Sequence, residues 1–403
     1  MPSSRPFLPY GRQSIDEDDI AAVVDVLRGD YLTTGPAVAA FEKRLAEVTD
    51  AKHAISVTNG TAALHLAAIA LDLTPGDAII VPTLTFLATA NAARYVGAEV
   101  VFADVDPKTG LLTAETLAEA MARAGASARA VFPVHVNGQC ADMPSLRKVA
   151  GAEDLRFVED ACHALGGMQD TSSGDPRPVG SCADSTMAIF SLHPVKIVAM
   201  GEGGAITTND DTLAERLRRL RNIGMVRDPD AFQCREQAFA ADGSPNPWYY
   251  EMPELGFNCR ASDLHCALGH SQLGKLPRFA ERRNQLVRRY RDALAPLSPL
   301  VVPVPAVSNV ASGWHLFVVH IDFEAAGTDR ATVMNALREQ SVGTQVHYLP
   351  VHRQPYYRQR YGDLHLPGAD AYYESVLSLP LFVDMLDTDV DYVVQALGKT
   401  LNL

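Results

Sequence analysis

The chain has 403 residues, 47% of them hydrophobic and 21% charged, enough for roughly two to three domains with large cores. Its net charge of −13 comes with no basic stripe, which argues against a nucleic-acid partner and means that an anionic ligand must be held by local donors. The six cysteines form no CxxC pair, residues 1–14 contain no apolar signal region, and no run reaches the ~18 apolar residues of a membrane span, so a cytoplasmic protein with reduced thiols and no membrane contact is expected.

Ile15 to Gly29 predicts an amphipathic helix with an acidic first turn, followed by a turn at 31–36 and a helix from Ala37 to Val48. An alternation then begins. Strands are expected at His53–Val57, Ala78–Pro82, Glu99–Val105, Arg129–Val136 and Arg156–Glu159. Between them lie helices at Gly60–Leu71, Phe86–Val96, Thr113–Ala124 and Pro144–Gly151. This order predicts an α/β fold with a large, mainly parallel sheet, whose ligands bind beyond the C-terminal ends of the strands.

Asp170 to Gly180 reads as a polar insertion, Ser185–Ser191 and Ala205–Thr208 as further strands, Leu213–Arg221 as a basic helix and 226–254 as a surface loop. Helices are expected at Ser262–Leu276 and Arg278–Leu294. After the proline-rich Pro296–Pro305 the pattern changes to a strand at His315–Ile321, a helix at Arg330–Gln340, a strand at Gly343–His347 and a helix at Ala369–Ser375. That is a smaller α+β C-terminal domain.

Of the seven lysines, Lys196 alone has apolar neighbours on both sides, Val195 and Ile197. Lost hydration there lowers its pKa and frees a nucleophilic amine, as a Schiff-base lysine requires, although a half-buried lysine snorkelling to water would look the same. Asp160 follows an apolar strand and needs a cationic partner such as a pyridinium nitrogen, or else caps a turn. Asn59-Gly60-Thr61 places free amides and a hydroxyl at a helix start, an anion site suited to phosphate that is neither a Walker A loop nor GxGxxG. Phe86, taken by itself, reads as core rather than as a ring-stacking residue. His163, His193 and His347 have no metal-ligand spacing, and Ser191 has no GxSxG context. Together, lysine, aspartate, phosphate cradle and parallel sheet are what pyridoxal 5'-phosphate (PLP) needs.

The motifs Asn59-Gly-Thr-Ala-Ala-Leu, Glu159-Asp-Ala-Cys-His-Ala-Leu-Gly, Phe190-Ser-Leu-His-Pro-Val-Lys, Gly201-Glu-Gly-Gly and Gly256-Phe-Asn-Cys-Arg resemble those of the DegT/DnrJ family of nucleotide-sugar aminotransferases. The resemblance runs from Leu32-Thr-Thr-Gly-Pro to Gln345-Val-His-Tyr348. It implies the aspartate-aminotransferase (type I) fold, with an N-terminal arm and large PLP-binding domain at 1–276 and a small domain at 277–403. Pro9-Tyr-Gly-Arg-Gln13, Trp248-Tyr-Tyr-Glu-Met252 and Ser271-Gln-Leu are most similar to a subgroup, the UDP-4-amino-4,6-dideoxy-N-acetyl-β-L-altrosamine transaminases of pseudaminic acid synthesis, whose product decorates flagellins and surface glycans.

By this resemblance Lys196 would carry PLP, Asp160 would pair with the ring nitrogen, His163 would contact the phenolic oxygen and Phe86 would stack on the ring. Gly60, Thr61 and Ser191 would hold the phosphate. Asn258 and Arg260 would reach, from the second subunit of a homodimer, the phosphate and the substrate respectively. Tyr10, His347 and Tyr348 would line the sugar-nucleotide side. The implied reaction moves an amino group from L-glutamate to a UDP-linked 4-keto deoxysugar, with a GDP-linked sugar or a non-catalytic PLP-binding regulator as alternatives. Two positions depart from the family pattern. Ala199-Met200 replaces a Thr-Thr pair, which predicts missing hydroxyl contacts near the substrate, and Cys259 replaces a tyrosine.

Overall fold

A computed structural model describes residues 5–151, 155–307 and 311–403; the first four residues of the polar N-terminal stretch lie outside it. The alternating apolar runs form β1 (His53–Val57), β2 (Ala78–Pro82), β3 (Glu99–Ala103), β4 (Ala128–Val131) and β5 (Arg156–Asp160). The polar insertion closes a short ribbon of β6 (Met168–Gln169) and β7 (Arg177–Pro178). β8 (Met187–Ser191) and β9 (Gly204–Thr208) complete a seven-stranded sheet in the order β1-β9-β8-β5-β4-β2-β3.

All five residues of β2 and of β9 are buried, as expected of a sheet covered on both faces. Strands β3, β2, β4, β5 and β8 run parallel, whereas β9 is antiparallel to both β8 and β1. The reason is the connection: no helix lies between Ser191 and Gly204, and without a crossover a strand must return antiparallel. Hence β9 brings Gly204 back beside the end of β8.

A three-stranded antiparallel sheet, β10 (Val301–Pro303), β11 (Phe317–Ile321) and β12 (Val376–Leu379), forms a second core with the helices Leu276–Leu294 and Asp387–Thr400. β10 is an edge strand, which is where its Pro303 can be tolerated. Leu8 of the N-terminal arm belongs to this second core and bridges Val342.

Five expected strands are shorter or absent: β8 and β11 begin two residues late, at Met187 and Phe317. β4 ends at Val131 rather than Val136, since Pro133 has no N–H to continue the ladder, and β3 ends at Ala103. Gly343–His347 is not a strand; Val342 and Gln345 make single bridges to Leu8 and Ser378. β10, β12 and the helices Pro355–Tyr361 and Asp387–Thr400 were not among the expected elements.

Candidate active site

At the C-terminal ends of β1, β2, β5 and β8 a cavity of ≈ 630 Å³ opens. Ten of the twelve expected site residues line it: Gly60, Thr61, Phe86, Asp160, His163, Ser191 and Lys196 from the large sheet, and Tyr10, His347 and Tyr348 from the opposite side.

The phosphate cradle follows from local geometry. Asn59 caps the helix Gly60–Ala70, its side chain accepting from Ala62 N–H at 2.8 Å. Gly60 and Thr61, at the first positions of that helix, have no intrahelical acceptors for their N–H groups. A Cβ on Gly60 would lie 3.0 Å from Ser191 Cβ, and one on Gly204 would lie 2.3 Å from the Asn59 carbonyl carbon. β9 therefore packs its glycine directly against the cradle turn.

Asp160 closes β5, and its carboxylate accepts from Thr89 Oγ1 at 2.6 Å and from Cys162 N–H at 3.2 Å. Two donors hold the oxygens in place at a buried strand end. Lys196 follows β8 on a turn closed by its own N–H to His193 O at 2.8 Å. Burial lowers its pKa from the usual lysine value, an effect opposed by the nearby Cys162 and Asp160. No carboxylate lies within ion-pair distance of its Nζ among the described residues. An amine in that state is a nucleophile.

His163 accepts a hydrogen bond at Nδ1 from Asn137 N–H at 3.3 Å, and its Nε2 lies 2.9 Å from the Tyr348 hydroxyl. Burial, then the Lys196 and His347 charges, push its pKa well down. His347 is held by Ser378 Oγ at 2.8 Å and pushed down to about 3 by burial and by Lys196. Its ring lies 5.4 Å from that of Tyr10. Burial raises the pKa of Tyr348 far above the usual tyrosine value, so the hydroxyl stays protonated.

Phe86 is 57% exposed on the cavity wall, its ring 6.3 Å from that of Tyr348. This overturns the reading of Phe86 by itself as a core residue: it starts a helix at a strand end and faces open space.

The profile of the DegT/DnrJ/EryC1/StrS aminotransferase family matches residues 13–398. The chain belongs to this family. It is 37% identical to the Bacillus subtilis spore coat polysaccharide biosynthesis protein SpsC over 393 residues, 97% of this chain and 96% of SpsC. Its fold matches that of Helicobacter pylori PseC, an aminotransferase involved in the biosynthesis of pseudoaminic acid, with TM-score 0.86, 25% identity and coverage of 98% and 99%. It also matches DesI, solved in the presence of its TDP-sugar product, with TM-score 0.84, 32% identity and coverage of 100% and 94%. The type I fold, the aminotransferase class and the PLP cofactor follow from this membership, and solved relatives include PLP and pyridoxamine phosphate forms.

The cavity suits that cofactor. An open helix N-terminus fits a phosphate, an exposed phenylalanine offers a flat wall, and a carboxylate and an unpaired amine lie on the same rim.

Two expected residues are not in this cavity. Arg260 Nη1 donates to Asn222 Oδ1 at 2.7 Å, and Asn258 forms a bridge with Asn222. Ala199 and Met200 are buried, Met200 lying against Gly203 and Gly269. Neither residue lines the cavity.

Two residues escaped sequence reasoning. Thr89 holds Asp160, and the Thr85–Thr89 spacing of one helical turn was its signal. His315 also lines the cavity, its ring 4.5 Å from that of His163 and its buried Nδ1 unpartnered. Its apolar neighbours Trp314 and Leu316 are the kind of signal that singled out Lys196.

Proposed function

We propose that this nucleotide-sugar aminotransferase moves an amino group from L-glutamate to the 4-keto position of a UDP-linked deoxysugar, in a pseudaminic-acid-type pathway serving flagellin or surface glycans. The observation that carries the reading is the single cavity joining Lys196, Asp160 and the Gly60–Thr61 cradle to an aromatic, histidine-lined side. The pseudoaminic acid and polysaccharide relatives support the sugar class.

Bound PLP supplies an electron sink and stores the amino group between two half-reactions. The chain does the rest. Gly60, Thr61 and Ser191 hold the phosphate, and Phe86 fixes the ring plane. The Asp160 carboxylate pairs with a protonated ring nitrogen, while His163 presents an N–H to the phenolic oxygen. Lys196 Nζ takes a proton from the amino-acid α-carbon and returns one to the sugar carbon in the second half-reaction, as a general acid and base whose lowered pKa suits neutral pH.

Tyr10, His347 and Tyr348 face the sugar nucleotide. Asn258 and Arg260, outside the cavity of their own chain, serve that of a second copy in a homodimer. Unpaired cysteines among the described residues fit a cytoplasmic enzyme.

The test is a panel of UDP-, TDP- and GDP-linked 4-keto sugars offered to PLP-loaded protein with glutamate, with aminated product read by mass spectrometry. Amination of the UDP-linked deoxysugar is expected. Amination confined to GDP-linked sugars reassigns the substrate, and no amination of any sugar refutes the reading.

A further inference from the structure

Asn137 lies six residues beyond the end of β4, yet carries no task in the reaction above. It sits at φ 64, ψ −6 in the turn Val136–Gly138, a left-handed conformation that asparagine tolerates better than most side chains. It is 1% exposed. Its N–H donates to His163 Nδ1 at 3.3 Å, and its carbonyl accepts from His315 N–H at 3.0 Å and Leu316 N–H at 3.2 Å. Its side-chain Nδ2 donates to Tyr372 Oη at 2.9 Å. The neighbouring Gly138 touches Gly313 so closely that a Cβ would lie 2.3 Å from the Gly313 oxygen. One residue thus joins the His163 ring to the segment leading into β11 and to the helix Pro367–Ser375.

A main-chain N–H can only donate, so His163 Nδ1 must accept. Burial, Lys196 and His347 keep the ring neutral, which leaves its one proton on Nε2, the atom facing Tyr348. A ring with Nε2–H turned to the cavity is a donor, matched to the phenolate oxygen of PLP. The opposite tautomer would aim a lone pair at that anion.

We propose that Asn137 is a positioning residue whose left-handed N–H fixes His163 as the Nε2–H tautomer and, through its main-chain carbonyl, makes that state depend on the seating of Gly313–Leu316. The inference rests on the reading of His163 as a PLP contact.

Nitrogen NMR of histidine-labelled protein reads the tautomer, with His163 assigned through the His163→Gln variant. Asn137→Gly keeps the N–H and adopts φ 64 without cost; it should retain the wild-type tautomer and PLP affinity. Asn137→Val cannot hold that conformation and should show a tautomer mixture, with PLP retention about tenfold weaker, the size of one hydrogen bond. A purely packing role would give the reverse order, because glycine leaves the larger void.

A valine variant with an unchanged tautomer, or a glycine variant that loses it, overturns the proposal. Should valine prevent folding, Asn137→Ala makes the same comparison with a smaller shift. If wild-type protein retains no PLP, the reading of His163 fails, while the tautomer measured without PLP still tests Asn137.

Discussion

The Tyr348 hydroxyl lies 2.9 Å from His163 Nε2, although the two residues are 185 positions apart in sequence. It ties the loop after β5 to the histidine-rich segment that follows Val342, so the two halves of the cavity share a hydrogen bond before any ligand enters. Tyr348→Phe should leave the His163 proton unpaired and cost the protein without PLP about 1 kcal/mol. Bound PLP should offset the loss by giving the N–H another acceptor. Urea unfolding with and without PLP measures both; an equal loss in the two states would refute the second donor role for His163.

Acid should destabilise the apoprotein through its buried imidazoles. His347 is pushed from 6.5 down to about 3 by burial and Lys196, and His163 and His315 well below 6.5 by burial and the same charge. Below about 6.5 the unfolded chain binds protons that the folded chain refuses, so stability falls as pH drops through the window between 6.5 and the folded values. Each group contributes at most about 1.4 kcal/mol per pH unit, and nothing well above its unfolded pKa. Urea midpoints measured across this window should decline, and His347→Asn should flatten the slope by one proton.

Lys196→Ala should abolish transamination, by at least roughly a thousandfold given what one acid–base group contributes. The phosphate cradle is built from other residues, so the variant should still retain PLP. Equilibrium dialysis and single-turnover assays separate the two, and appreciable turnover would remove Lys196 from the mechanism.

Gly204→Ala should damage the cradle from behind. The new Cβ would press on the Asn59 carbonyl carbon at 2.3 Å, a backbone contact that cannot rotate away, at a cost of roughly 1–3 kcal/mol. Reduced PLP affinity together with a lower melting temperature is expected. Wild-type affinity would mean that the helix start can shift without consequence.

Much of this was legible in the chain because the large sheet writes its period plainly. β1 and β2 have the bounds that their apolar runs predict. Lys196 and Asp160 carried local signals, an amine among apolar neighbours and a carboxylate after a strand. What escaped depends on distant partners. The direction of β9 follows from a helix-free connection, the early end of β4 from one proline, and the places of Thr89 and His315 from contacts made only on folding. Phe86 was ambiguous for the same reason, since an apolar side chain does not declare whether it faces a core or a cavity.

The cavity takes Tyr10 from the start of the chain, Asp160 and Lys196 from its middle and Tyr348 from near its end. No fragment ending before Tyr348 carries the whole wall. A ligand that fills the whole cavity therefore favours chains folded through Tyr348 over shorter ones. At a hundredfold excess over its dissociation constant it would add about 2.7 kcal/mol to the stability of the former.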